Sequence, residues 1–181
     1  SPEVAELLAS EGVRWIATDE AVLWRSLHDA AAPRTVLHQP WTLHTGAGEL
    51  ALFFRDHELS DRIGFVYSTW EPAAAAADFI SRLRRIGREH AGQARPVVSV
   101  VLDGENCWEH YAEDGRPFLE ALYGALESAD EIRTVTPSEV LARGPVASDL
   151  RTIAVAMKIT HDLERVGDEA TAVARCAVEL N

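Results

Sequence analysis

The chain has 181 residues, 47% of them hydrophobic and 25% charged, which suits one globular domain with enough apolar material for a core. Seventeen Lys and Arg against twenty-nine Asp and Glu leave a net charge of -12, which argues against nucleic acid or an anionic membrane surface as a partner. Cys107 and Cys176 are too far apart for a zinc knuckle or a disulfide framework, and no stretch is apolar enough for a spanning helix or a leader. The expectations are therefore a reducing, cytoplasmic setting and no membrane insertion.

Ser1, Pro2 and Glu3 form a helix start, and Val4, Leu7 and Leu8 follow at helical spacing before Gly12. The chain opens directly into this helix and its only methionine is Met157, so further sequence is expected upstream. Residues 13–18 are a short apolar run suited to a buried strand, and they finish in Asp19 and Glu20. A second strand is expected over residues 49–54, running into Arg55 and Asp56. Residues 72–90 carry five consecutive alanines, then Phe79, Ile80, Leu83 and Ile86, which predicts an amphipathic helix with an arginine-rich outer face. Residues 96–102 predict a strand apolar on both faces, stopping at Asp103, Gly104 and Glu105. A helix over 117–128 and a strand over 132–135 complete the alternation, which predicts an α/β fold with a largely parallel sheet.

Three of these strands end in acids. In parallel α/β folds ligands sit at the carboxyl ends of strands, so Asp19, Glu20, Asp56, Asp103 and Glu105 converge on one cleft; the plainer reading is that such acids cap helices or form turns. Paired carboxylates are what glycoside hydrolysis needs, one protonating the leaving oxygen while the other attacks or activates water. Asp103 and Glu105 flank Gly104 and project to one side of an extended segment. Trp108 and Tyr111 follow, and aromatic faces suit the C–H faces of sugar rings, although both residues could simply be core.

From Ala142 the character changes. Residues 142–181 carry five basic and six acidic side chains, while residues 1–141 carry twelve and twenty-three, so the acidity lies in front of a boundary near 142. Arg143, Gly144 and Pro145 break the chain, and Ser148 and Asp149 can cap a long helix over about 150–180. On that helix Ala156, Ile159, Leu163, Val166, Ala170, Val173 and Ala177 form the apolar stripe that a bundle would bury. His161, Glu164 and Asp168 form a neighbouring stripe able to hold a metal ion, or else an ordinary solvated edge.

The run Val100-Val101-Leu102-Asp103-Gly104-Glu105-Asn106-Cys107-Trp108-Glu109, continuing through Tyr111, Asp114-Gly115 and Phe118-Leu119-Glu120 to Thr136-Pro137-Ser138-Glu139, resembles glycoside hydrolase family 57. So do residues 53–65, which contain Phe53-Phe54-Arg55-Asp56-His57-Glu58-Leu59-Ser60-Asp61, and the stretch from Trp15 to Glu20. The resemblance implies a partial (β/α)7-type barrel of parallel strands over 1–141 and retaining chemistry on an α-glucan oligosaccharide or polysaccharide, of amylase, branching-enzyme or glucanotransferase type. It places the general acid/base on Asp103, makes Glu105 a neighbour that shapes the site, and has Arg55, Asp56, Asp19, Glu20 and Trp108 line the cleft. It implies no cofactor for this part. The family nucleophile is a Glu in a W-P-x-E-like segment expected just before Ser1, so the chain alone is expected to be inactive. His38-Gln39-Pro40 spells another triplet of the family, but one that belongs on its first strand, and is read here as coincidence. His57 is read as a hydrogen-bonded cleft histidine rather than a metal ligand.

The tail, through Pro145-Val146-Ala147-Ser148-Asp149-Leu150-Arg151, Met157-Lys158-Ile159 and Asp162-Leu163-Glu164-Arg165-Val166-Gly167-Asp168-Glu169-Ala170, resembles PhoU-type phosphate-uptake regulators. That resemblance implies one helix of a three-helix bundle over 142–181 with Glu164 and Asp168 as metal ligands. Three readings follow: part of a glycoside hydrolase carrying this appendage, a metal-binding regulator of phosphate transport whose front half is a remnant, or an adaptor without chemistry. A partial barrel also exposes strand edges, which predicts self-association.

Overall fold

A computed structural model describes residues 1–27, 31–104, 107–143 and 153–160. Helix α1 (Pro2–Ser10) leads into β1 (Trp15–Asp19), and Asp19 then caps α2 (Glu20–Ser26) by accepting from the Ala21 amide at 2.8 Å. A 3₁₀ turn (Arg34–Leu37) precedes β2 (Trp41–Thr45), which returns antiparallel onto β3 (Gly48–Arg55). Next come α3 (His57–Asp61), a π-helical turn (Arg62–Val66) and the long α4 (Pro72–Glu89), whose N-terminus is capped by the Glu71 carboxylate. Strand β4 (Val97–Asp103), α5 (Arg116–Glu127), β5 (Ile132–Val135), α6 (Pro137–Arg143) and β6 (Ile153–Thr160) complete the order.

The sheet runs β1-β3-β4-β6-β5 with every neighbour parallel, and β2 pairs antiparallel with the first half of β3. This is the expected mixed α/β architecture, a wall of parallel strands of the kind a partial (β/α) barrel supplies. Apolar side chains fill both faces, as parallel sheets require. On one face Val98, Val100 and Leu102 of β4 meet Phe79, Ile80, Leu83 and Ile86 of α4 and Phe118, Leu122 and Leu126 of α5. On the other, Ala51, Phe53 and Val97 pack with Trp15, Val140 and Leu141, while Phe54, which alternates back to the first face, packs with Leu23 and Leu37. The turn before α5 places Glu113, Asp114 and Gly115 successively in the left-handed region. Gly115 is required twice over, by its φ of 81° and because a Cβ there would stand 2.7 Å from the Trp108 ring.

The tail departs from expectation. Residues 153–160 are β6, lying between β4 and β5, and not the opening of a long helix. Ile153, Val155, Met157 and Ile159 recur at every second position, so the stretch fits a strand as well as a helix, and the slot between β4 and β5 decides. Val155 is fully buried there. The remainder of the expected helix, with Leu163, Val166, Ala170, Val173, Ala177 and the stripe of His161, Glu164 and Asp168, lies outside the described residues, as does Glu105.

Candidate active site

The parallel pairing sets the site. Register aligns Asp19 at the end of β1 with Arg55 at the end of β3, and β4 ends at Asp103 on the same side of the sheet. Arg55 is the hub: its Nε donates to the Val101 carbonyl at 3.0 Å, one terminal nitrogen lies 3.4 Å from Asp19, and the other meets Asp61 at 2.5 Å. His57 stands between the same two acids, with Nε2 2.7 Å from Asp61 and Nδ1 3.6 Å from Asp19. That is the hydrogen-bonded histidine expected from the sequence. A guanidinium tied on three sides is a fixed positive group, oriented without further ordering cost when a substrate arrives.

Arg55 and Asp103 share a cleft of about 190 Å³, lined also by Ser60, Gly64, Phe65, Leu102, Cys107, Glu109 and His110. Asp103 is exposed there, and burial raises the Cys107 thiol, with the Asp103 carboxylate adding to the shift. Among the predicted site residues, then, Arg55 and Asp103 are brought together directly, and Asp19 joins them through Arg55.

Glu20 and Asp56 serve a layer beneath. Glu20 takes both terminal nitrogens of Arg34, at 3.1 and 3.2 Å, and accepts from the His57 amide at 3.1 Å. Asp56 is only 2% exposed; it caps α3 by accepting from the Leu59 amide at 2.9 Å, meets Nε2 of buried His38 at 3.0 Å, and lies 3.5 Å from Arg34. Because a carboxylate only accepts, Nε2 of His38 carries the proton. Burial pushes the Asp56 carboxyl up, but the His38 hydrogen bond, the Leu59 amide and the Arg34 charge outweigh it and hold the group below its ordinary value. Asp56 therefore fixes the start of α3, and with it His57 and Asp61, from inside the protein. His38, read as coincidental, is thus a buried support of the site, two partners removed from Arg55.

Trp108 packs inward against Tyr111 and Phe118, with ring centroids 5.5 and 6.4 Å away, while its neighbours Cys107 and Glu109 reach the cleft. Asp61, Arg34 and His38 were not singled out from the sequence as site residues. Asp61 had a signal, its helical spacing of four from His57, and His38 had only the triplet set aside as coincidence; Arg34 had none, because its link to Asp56 exists only once the chain has folded back. Among the described residues no cluster of three or more His, Cys, Asp or Glu is placed to hold a metal ion, and no helix is long and apolar enough to cross a membrane.

The family model described as Glycosyl hydrolase family 57 matches residues 1–152, a span that holds every strand-end group just described. The chain belongs to glycosyl hydrolase family 57. Two curated relatives match shorter stretches, and both are described as Phosphate-specific transport system accessory protein PhoU homolog. The one from Pseudomonas putida is 58% identical over 38 residues, 21% of this chain and 15% of that protein. The one from Xylella fastidiosa (strain Temecula1 / ATCC 700964) is 40% identical over 58 residues, 30% of this chain and 24% of that protein. The chain thus spans less than a quarter of the length of either.

Proposed function

We propose that this chain carries part of the cleft of a retaining, α-glucan-active hydrolase or glucanotransferase, with Asp103 as general acid/base. The observation that carries this reading is the convergence of Asp103 and the tied Arg55 on one cleft at the carboxyl end of parallel strands, within a family 57 chain. Asp103 donates its proton to the leaving glycosidic oxygen and then takes one from the incoming water or sugar hydroxyl. Arg55 and Asp19 hold substrate hydroxyls, and Glu20 and Asp56 keep that pair in place. No W-P-x-E-like segment occurs among these 181 residues, so these residues alone bind glucan without completing the double displacement.

The test is to add maltoheptaose to the 181-residue chain and follow intrinsic tryptophan fluorescence alongside release of reducing ends. Saturable binding without release supports the proposal, and Asp103→Asn should bind comparably. Absence of binding rejects the α-glucan reading, and release that Asp103→Asn does not reduce rejects Asp103 as the acid/base. A second reading, favoured by the short matches to PhoU homologs, makes the tail a metal-binding regulatory appendage through Glu164 and Asp168. Under it, zinc or manganese raises the melting temperature of the chain, and Glu164→Gln with Asp168→Asn abolishes the rise.

A further inference from the structure

Phe65 is 75% exposed, more than any other large apolar side chain among the described residues, and it lies in the cleft that holds Asp103. Its position is enforced from both sides. It sits on the π-helical turn Arg62–Val66, the kind of bulge that recurs at functional sites. Two residues before it, Ile63 is fully buried and its carbonyl accepts from the Tyr111 hydroxyl. Two residues after it, Tyr67 is buried and donates to Asp78 at 2.7 Å. Arg62 adds ion pairs to Glu58 at 3.7 Å and Asp78 at 3.6 Å. A turn pinned in this way presents the phenyl ring at small entropic cost, whereas a free aromatic would fold back onto the surface.

The space beside the ring is open. Gly64 also lines the cleft, and a Cβ built on it meets nothing within 4 Å. The polar groups lining the cleft are Arg55, Ser60, Asp103, Glu109 and His110, donors and acceptors in the mixture that sugar hydroxyls require. An apolar platform rimmed by such groups matches a pyranose, whose C–H face is apolar and whose edge is polar.

We propose that Phe65 is the sugar-stacking platform of this cleft, setting a pyranose ring of the substrate beside Asp103. The proposal rests on the reading that the cleft takes a glycan, but not on which glycan. The experiment is calorimetric titration of the 181-residue chain with maltoheptaose, cellohexaose, xylohexaose and mannohexaose in turn, for the wild type, Phe65→Ala, Phe65→Trp and Tyr123→Ala. Tyr123 is exposed on α5 and does not line the cleft, so its variant controls for loss of a surface aromatic. Phe65→Ala should weaken binding about tenfold, the scale of one good aromatic contact, while Phe65→Trp stays within about threefold and Tyr123→Ala is unchanged. Because the ring is mostly exposed its removal leaves no core cavity, and an unaltered far-UV spectrum confirms the fold. Binding of another of these sugars but not of maltoheptaose, weakened about tenfold by Phe65→Ala, removes the α-glucan reading and keeps this inference. Binding by Phe65→Ala within about twofold of wild type overturns the inference alone, and no binding of any of the four sugars overturns both.

Discussion

Asp56 is the residue on which the rest of the site stands, since its carboxylate joins the cap of α3, the buried His38 and the Arg34–Glu20 pair. Removing one member of a buried pair leaves the other desolvated and uncompensated, a larger loss than the pair's own net contribution. Asp56→Ala should therefore cost roughly 3 kcal/mol in urea unfolding, whereas Glu120→Ala, which removes an exposed pair with Arg116, should leave the unfolding midpoint almost unchanged. The pH dependence has a definite sign. The folded-state pKa is lowered from the ordinary 3.8, so the stabilisation is complete above that value and is lost as pH falls through the depressed one. The gap between wild type and Asp56→Ala should be constant from pH 7 to about pH 5 and close only in strong acid; a gap that closed near neutrality would assign the effect to another group. The sequence pointed to Asp56 as an acid at a strand end, but not to its burial. Burial depends on His38 and Arg34, eighteen and twenty-two positions earlier, which reach it only once the chain before β2 has packed against α3.

At the scale of elements, the segments whose pattern is strong enough to decide by itself were the ones readable in advance. Residues 132–135 are β5 as expected, α4 ends one residue short of the expected 90, and β4 is shifted by one residue. α4 has an apolar set at helical spacing, and β4 is a β-branched run bounded by Pro96 and Gly104. β2 has no such set, because its three central residues are exposed and the strand is held by pairing to β3. β6 is the opposite case: residues 153–160 satisfy a helical stripe and a strand alternation at once, and Ala154, Ala156, Met157 and Lys158 favour helix by propensity. Ladders on both sides settle it, β4 pairing along 154–160 from Val97↔Ala154 to Asp103↔Thr160 and β5 over Ile132↔Ile153 to Val135↔Ala156. Amide exchange should therefore protect residues 154–159 as strongly as β4, with both opening together. Protection of β4 alongside rapid exchange in 154–159 would remove β6 from the sheet.

For the molecule as a whole, the question is how a sheet with two open sides avoids pairing with itself. Among the described residues β1 forms a ladder with β3 and none other, and β5 with β6 and none other, so each is an edge strand of the sheet. A net charge of -12 opposes that pairing through repulsion between copies, a long-range force that salt weakens: the screening length falls from about 30 Å at 0.01 M to about 8 Å at 0.15 M. β6 matters here because it covers the facing edges of β4 and β5. A chain stopped after Arg143 loses it and exposes both, while most of the acidity, which lies in residues 1–141, is kept. In sedimentation velocity the shortened chain should associate at concentrations where the full chain sediments more slowly, and more so at 0.15 M than at 0.01 M salt. If removing β6 leaves the sedimentation of both chains alike at both salt concentrations, the strand is not what shields the sheet. If association grows as salt is lowered, attraction between unlike patches governs it, and edge pairing restrained by like charge does not.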